Sequence, residues 1–236
     1  MATLSIVVRD LKQTRQTWNP VHALVLYQCG HQTMCLSHPV LTGGKEPELG
    51  AARNLSDEQR RGVLQALGHR GLMPVLEDTL AVSPTAVAWW RPPGKAAMQF
   101  DAKYQGTASI ARLSGIPVPL PGLVFIASPG ELRVYAVQGE QRPTLETELC
   151  HAPMWNMFSS ASVCQGTATY PKEASPEQQR AWEEVFFNSL FTGPSRSDRY
   201  MNWGKSYEEL LQKAIDDGAF PQHVLVSSEK TLREVL

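Results

Sequence analysis

The sequence of 236 residues lacks any long apolar run and any marked excess of charge. No stretch approaches the roughly 18 apolar residues that a membrane-spanning helix needs. The 22 Lys and Arg nearly balance the 23 Asp and Glu, so the net charge is −1. A chain without a positive field does not collect nucleic-acid phosphates. We therefore expect a soluble, cytoplasmic protein with neither a membrane nor a nucleic-acid partner.

Cysteine is also scarce, and four residues are too few for a disulfide scaffold in a chain of this length. The four are Cys29, Cys35, Cys150 and Cys164. The first two belong to the pattern Cys29-x-His31-x3-Cys35-x2-His38, which offers zinc-type ligands. All four ligand candidates lie on one predicted hairpin, and strand alternation directs His38 away from Cys35. We expect no metal there, and a structural zinc is the open alternative.

Strand-forming sequence dominates the first two thirds of the chain. Short apolar runs predict strands at 4–8, 22–28, 32–40, 85–90, 96–100, 122–128 and 131–138. Turn residues predict that 22–28 pairs with 32–40, that 85–90 pairs with 96–100, and that the last two runs pair with each other. Three prolines in 116–122 predict an extended segment that cannot be a central strand. The region 85–138 is thus expected to form a four-stranded antiparallel meander.

Capping patterns predict the helices, most of which fall in the last third. Ser56 with Gln59 predicts a helix over 57–68, Ser175-Pro176 one over 176–191, and Ser206 with Glu209 one that Gly218 ends. A short helix from Ser228 is also expected. Because strands and helices segregate along the chain, the predicted class is α+β.

Segment 143–166 carries the candidate chemistry. Cys164 follows Asn156 by eight residues, and His151 lies just upstream. A thiolate is a strong nucleophile, an Asn amide can donate to an oxyanion, and a histidine can act as a general base. These residue types alone leave open an inert buried thiol, an Asn that only fixes a loop, and a hydrogen-bonded loop histidine.

The stretch NMFSSASVC (156–164) resembles the active-site segment of ubiquitin-conjugating enzymes, whose pattern is close to N-V-[FY]-x-x-G-x-V-C. The chain is similar more narrowly to a bacterial branch of that superfamily, prokaryotic family D. The phrases that carry this similarity are AWWRPPG (88–94), VYAVQGEQRP (134–143), HAPMWNMFSSASVCQGT (151–167) and WEEVFFNSLFTGP (182–194).

The resemblance implies a ubiquitin-conjugating-type core at 80–220, an N-terminal β-hairpin-plus-helix region at 1–79, and a C-terminal tail or short helix at 221–236. It implies a ubiquitin-like protein carried as a thioester on Cys164, with Asn156 and His151 as further site residues. The implied partners are an adenylating activating enzyme, the ubiquitin-like protein and a JAB-type isopeptidase. No cofactor is expected on the conjugating protein itself.

The sequence departs from the usual pattern at two places. Met154 and Trp155 stand where the family has His-Pro, and Ala161 replaces a glycine, which puts a left-handed turn there in doubt. Two alternatives follow: an inactive scaffold of the same fold, or a thiol hydrolase that pairs Cys164 with a histidine such as His151. The other candidate histidines for that pairing are His69 and His223.

Charged residues near this segment have simpler interpretations. Glu173 and Asp198 are candidates to lower the pKa of an incoming lysine. Arg196, Arg199 and Lys205 are expected to form a solvated basic loop within 193–206.

Overall fold

The structure, a computed structural model, describes residues 19–30, 32–43, 46–66, 74–103 and 105–236. The predicted strand at 4–8, the histidines His31 and His69, and the last residues of the predicted helix 57–68 lie outside these ranges. The chain divides into two compact units, residues 1–71 and 72–236. In the described ranges no helix combines the length and apolarity that crossing a bilayer requires.

In its described residues the first unit contains a three-stranded antiparallel sheet and one helix. Its elements are β1 (His22–Cys29), β2 (Gln32–Leu41), β3 (Glu48–Leu49) and α1 (Asp57–Ala66). Gly30 supports the β1–β2 turn with a φ of 58°, in the left-handed region that glycine enters freely. Ser56 and Gln59 form the reciprocal capping bonds, with N···O distances of 2.9 and 3.2 Å. The predicted hairpin and helix start are confirmed.

Hydrogen bonds occupy both ring nitrogens of His38, one of the zinc-ligand candidates. Its Nδ1 lies 2.8 Å from the Gly50 carbonyl oxygen, and its Nε2 lies 2.8 Å from the Tyr27 hydroxyl. Since a carbonyl only accepts, Nδ1 carries the proton and Nε2 accepts from tyrosine. Among the described residues no group of three or more His, Cys, Asp or Glu could hold a metal ion.

The second unit contains eight strands in two sheets. They are β4 (Thr79–Val82), β5 (Val87–Arg91), β6 (Gly94–Ala97), β7 (Pro117–Leu120), β8 (Gly122–Ser128), β9 (Glu131–Val137), β10 (Glu148–His151) and β11 (Ser227–Thr231). Six of them form one antiparallel sheet in the order β11-β10-β9-β8-β5-β4. The hairpin predicted for 122–128 and 131–138 is therefore confirmed.

The predicted hairpin of 85–90 with 96–100 is wrong. β5 pairs with β8 instead, and β6 pairs with β7 in a separate two-stranded ribbon. β8 is buried on both faces, and the strand beside it is β5, whose first three residues are also buried. After β5 the turn at Pro92-Pro93 leads the chain out of the main sheet. The prolines of β7 are tolerated because a two-stranded ribbon leaves one edge of each strand without a ladder partner.

Three further helices belong to this unit: α2 (Gln179–Asn188), α3 (Tyr207–Asp217) and α4 (Leu232–Val235). A short 3₁₀ turn at Pro176–Gln178 precedes α2. α3 has the complete predicted capping box at Ser206, and Gly218 ends it with a φ of 71°. The last helix begins at Leu232 rather than near Ser228, because the residues before it pair with β10 as strand β11.

The six-stranded sheet buries both of its faces. Side chains of α2 and α3, including Trp182, Phe186 and Leu210, pack with Phe125 of β8 on one face. Leu232 and Val235 of α4 pack on the opposite face. Because strand side chains alternate, β8 contributes to both clusters, and its residues 122–127 are all buried. The sheet therefore forms a rigid base for the segments that follow β10.

A buried polar contact joins α2 to this sheet. The Trp89 indole donates a hydrogen bond to Glu183 Oε1 at 2.8 Å, and Trp89 is fully buried. Arg91 Nε lies 3.6 Å from the other carboxylate oxygen. The carboxylate thus has a donor and a cation, which offset the cost of removing it from water.

We expect Trp89→Phe to lower the free energy of unfolding by about 2–4 kcal/mol, because it removes buried volume and the donor to Glu183. Chemical denaturation measures this. Trp203→Phe is the matched control: Trp203 is partly exposed and its indole bonds only the Ser206 carbonyl, at 3.0 Å, so we expect a loss below about 1 kcal/mol. Equal losses for the two variants would contradict the conclusion that the Trp89–Glu183 contact stabilises the fold.

Candidate active site

Residues 156–164 form a small hairpin that ends at the candidate nucleophile. Met157 bridges Val163, and the Phe158 N–H donates to the Ser162 carbonyl at 2.9 Å. The Cys164 N–H donates to the Asn156 carbonyl at 2.7 Å, which closes the base of the hairpin. The spacing of eight residues between Asn156 and Cys164 is therefore the length of this closed hairpin.

The sheet anchors the hairpin through the first half of β9. The Val134 N–H donates to the Ala161 carbonyl at 2.9 Å, and the Val163 N–H donates to the Leu132 carbonyl at 2.8 Å. β10 pairs only with the second half of β9. The hairpin therefore bonds the first half of β9, which β10 leaves without a partner. Cys164 thus follows directly on a segment fixed to the core.

Two residues other than glycine adopt left-handed backbone angles in this hairpin. Asn156 has a φ of 59° and Ala161 a φ of 67°. Asparagine tolerates this region, whereas alanine pays roughly 1–2 kcal/mol for it. The left-handed turn that the missing glycine put in doubt is nevertheless present, and the Ala161 side chain is buried in the cluster below α4.

The Asn156 side chain joins the hairpin to the segment after α2. Its Nδ2 donates to the Leu190 carbonyl at 2.8 Å, and its Oδ1 accepts from the Thr192 N–H at 3.2 Å. The Asn156 backbone N–H also donates to the Gly193 carbonyl at 2.9 Å. The residue is buried, so these bonds satisfy polar groups that water does not reach. They match the loop-fixing alternative for Asn156, and its oxyanion role stays a prediction.

Cys164 is partly exposed and lines a groove of about 540 Å³. One wall is the segment 164–169, and the other is formed by the end of α2 with Leu190 and Thr192. Among the described residues that line it, Cys164 alone has an ionisable side chain. These residues therefore offer a nucleophile among small neutral groups, and none of them can act as a general base.

Tyr170 is a titratable residue close enough to Cys164 for the two groups to interact electrostatically. Burial raises the pKa of Tyr170 to about 12, and the charges of Cys164 and Glu131 add to the effect. Its hydroxyl is buried without a hydrogen-bond partner among the described residues, and its ring lies 4.9 Å from that of Trp182. At neutral pH Tyr170 is a neutral hydroxyl beside the thiol rather than a base.

His151 does not line the groove. It lies on β10, and its ring nitrogens face the Arg196 guanidinium at 3.2 and 3.4 Å. Burial, followed by the charge of Arg196, lowers the pKa of His151. The structure therefore places Asn156 and Cys164 together and leaves His151 in a separate contact. The role of His151 as a base stays a prediction.

The predicted solvated loop of Arg196, Arg199 and Lys205 is wrong for its first member. The Arg196 side chain is only 1% exposed and is paired with Asp198. Asp198 also accepts from the Ser159 hydroxyl, and chiefly the Arg196 hydrogen bond holds the pKa of Asp198 below its usual range. Sequence reasoning missed Arg196 because only tertiary packing shows that a loop arginine is enclosed.

Leu190 and Thr192 were also missed. They contribute a carbonyl and an N–H to Asn156, which are backbone groups that every sequence contains. The one available signal is position, since Leu190 lies at the end of the predicted helix 176–191 and Thr192 lies between that helix and Gly193.

The chain belongs to prokaryotic E2 family D, whose family model matches residues 64–228, more than half of the sequence. Its role is therefore related to ubiquitin-like conjugation. No curated protein and no solved structure shows a significant match to the chain.

We expect Asn156→Ala to lower the free energy of unfolding by about 2–4 kcal/mol, because it removes the side-chain bonds and leaves alanine in the left-handed region. Asn156→Gly loses the same bonds but enters that region freely, so we expect a loss about 1 kcal/mol smaller. Chemical denaturation compares both with Asn188→Ala, a change at an exposed residue that lines the same groove and should cost little. A loss for Asn156→Ala no larger than for Asn188→Ala would refute the loop-fixing role.

Proposed function

We propose that the protein accepts a ubiquitin-like protein from an activating enzyme as a thioester on Cys164 and transfers it to an amine. The observation that carries the proposal is the position of Cys164 at a groove of about 540 Å³, at the base of a hairpin fixed to the core. Membership in prokaryotic E2 family D supports the same chemistry.

The groove has the properties that an extended chain terminus needs. Its walls include small residues such as Gly166 and Ala168, and the described lining residues other than Cys164 have no ionisable side chain. Leu190, which lines the groove, is an exposed apolar side chain with an exposure of 47%, and Phe158 in the hairpin that ends at Cys164 has one of 43%. Exposed apolar side chains at a cleft and in its hairpin suit docking of a protein whose tail enters the cleft.

In the first step the Cys164 thiolate attacks the thioester carbonyl carbon that joins the activating enzyme to the C-terminal glycine of the ubiquitin-like protein. A C–S bond to Cys164 forms, and the C–S bond to the activating enzyme breaks. That enzyme's cysteine leaves as a thiolate, so charge is conserved and no outside base is required.

In the second step an amine nitrogen attacks the Cys164 thioester. A C–N bond forms, the C–S bond breaks, and Cys164 leaves as a thiolate while the amine proton passes to water. Water is the proposed acceptor because, in the described ranges, no lining side chain other than that of Cys164 is ionisable. Asp198 is a poor candidate for lowering the pKa of the incoming amine, because its carboxylate already pairs with Arg196.

The finer assignment we propose is to the B protein of a bacterial PRTRC system, which the phrases at 88–94, 134–143, 151–167 and 182–194 resemble. The proposed partners are an adenylating activating enzyme, a ubiquitin-like protein and a JAB-type isopeptidase, and the proposed location is the cytoplasm. The proposed organisation is an E2-like core at 80–220 with an N-terminal extension at 1–79.

One observation favours a second candidate, a catalytically inactive scaffold that binds the ubiquitin-like protein or its activating enzyme. The residues before Asn156 are Met154 and Trp155 instead of His-Pro, and their side chains pack inward rather than toward the thiol. A thiol hydrolase has less support, because a Cys–His pair is required and, within the part of the chain that the structure describes, no histidine lines the groove.

Incubation with the activating enzyme, ATP and the ubiquitin-like protein tests the proposal. We expect the full chain to form an adduct that thiols cleave. Cys164→Ser should form an oxyester that resists thiols and yields to alkali, and Cys164→Ala should form no adduct. Denaturing electrophoresis with and without reducing agent measures all three.

Cys29→Ala is the matched control, since Cys29 is exposed and lies in the other compact unit. Its adduct should equal that of the unmodified chain. An adduct that persists in Cys164→Ala would refute the site. Tight binding of the ubiquitin-like protein without any adduct would establish the scaffold instead.

A further inference from the structure

A chain of polar contacts runs from the sheet to the tip of the site hairpin. His151 on β10 contacts Arg196, Arg196 pairs with Asp198, and Asp198 accepts from Ser159. Ser159 belongs to the hairpin that ends at Cys164. The four residues come from three separate segments, which this chain of contacts joins.

Arg196 is the centre of these contacts. Its Nε donates to Asp198 Oδ1 at 2.8 Å, its Nη2 pairs with the second carboxylate oxygen, and the same Nη2 lies 3.2 Å from His151 Nδ1. The guanidinium also lies over the Tyr200 ring, 5.3 Å from the ring centroid. Because the side chain is almost fully enclosed, its fixed fork sets where the Asp198 carboxylate lies.

We propose that Arg196 is a positioning residue that holds the tip of the hairpin presenting Cys164. Arg196 fixes the Asp198 carboxylate where it accepts a hydrogen bond from the Ser159 hydroxyl, and His151 in turn holds Arg196. The Ser159 hydroxyl donates to Asp198 Oδ1 at 2.8 Å, and this bond restrains the exposed side of the tip. The backbone bonds to β9 restrain its other side. The consequence for thioester transfer rests on the proposed function, whereas the restraint itself does not.

The contact with His151 requires a neutral imidazole. A guanidinium only donates hydrogen bonds, so the ring nitrogen that faces it must carry a lone pair. Burial and the Arg196 charge lower the pKa of His151, while Lys230 of β11 acts in the same direction and Asp198 and Glu229 oppose it. Protonation would set two cations against each other, so the restraint should weaken as the pH falls below the ordinary histidine value of about 6.5.

Hydrogen–deuterium exchange of the full chain tests this, with the peptide covering 157–165 as the reporter. We expect Arg196→Gln to raise its exchange rate by about tenfold, the factor that corresponds to losing a charge-assisted hydrogen bond. Arg199→Gln is the matched control, because Arg199 bonds only Asn202, within its own loop, and should leave the reporter unchanged. Ser159→Ala removes only the hydroxyl at the exposed end of this chain of contacts and should raise exchange in the reporter by a smaller factor.

The pH profile separates positioning from a general structural role. After correction for intrinsic exchange, the reporter of the unmodified chain should lose protection between pH 7.5 and 5. His151→Asn places an uncharged acceptor near the position of Nδ1, so its reporter should stay protected over this range. His223→Asn, a change at an exposed histidine on a short 3₁₀ turn, should behave like the unmodified chain.

Equal effects of Arg196→Gln and Arg199→Gln would overturn the proposal, as would a pH response that persists in His151→Asn. A rise in exchange that extends through β8 in Ser159→Ala would also overturn it, since that variant alters only the surface. Failure of the protein to form a thioester, with these exchange results as expected, would refute the proposed function and leave the positioning role intact.

Discussion

The amide of Asn156 joins the two segments between which the groove beside Cys164 lies. Its oxygen and nitrogen bond an N–H and a carbonyl of the segment after α2, and its own backbone carbonyl accepts from the Cys164 N–H. A buried residue with all of these bonds ties the backbone of Cys164 to the segment that forms the opposite wall of the groove. The left-handed backbone at Asn156 is part of this arrangement, because it turns the chain into the hairpin.

The electrostatics around Cys164 are those of a neutral site. Of the described residues that line the groove, Cys164 alone has an ionisable side chain, and Tyr170 is a neutral hydroxyl at physiological pH. Asp198, which contacts the hairpin at Ser159, is paired with Arg196. Transthioesterification suits this setting because a thiolate enters and a thiolate leaves, so no net charge develops across the step. A neutral surface with exposed apolar side chains also agrees with a chain whose net charge is −1 and whose proposed partners are proteins.

Ala161 shows how the fold accommodates a departure from the family pattern. Its left-handed backbone costs alanine roughly 1–2 kcal/mol relative to glycine, and burial of the methyl group returns about 0.8 kcal/mol. The bond from the Val134 N–H to its carbonyl keeps the turn in place. The missing glycine therefore removes neither the turn nor the hairpin.

Local sequence signals account for much of the fold and for half of the site. Capping residues placed α1 and α3 because an N-cap bond involves neighbours in the sequence, and turn residues placed the β1–β2 and β8–β9 hairpins for the same reason. The resemblance of residues 156–164 to the active-site segment of ubiquitin-conjugating enzymes pointed to the site segment. The structure shows that its spacing of eight residues is the length of a closed hairpin. The predicted pairing of 85–90 with 96–100 was wrong because the strand that lies beside another depends on the burial of residues far apart in the sequence.

By itself the sequence determined the α+β class and the starts of α1 and α3, since the capping bonds that begin these helices join residues a few positions apart. The residues of the site segment stay a prediction that rests on the family resemblance. Only the tertiary structure decided that Leu190 and Thr192 hold Asn156, that Arg196 is enclosed, and that His151 faces an arginine rather than the thiol. These contacts join residues more than thirty positions apart through backbone groups and buried charge. Residue type and spacing do not encode such contacts, because they arise when the sheet and its helices bring distant segments together.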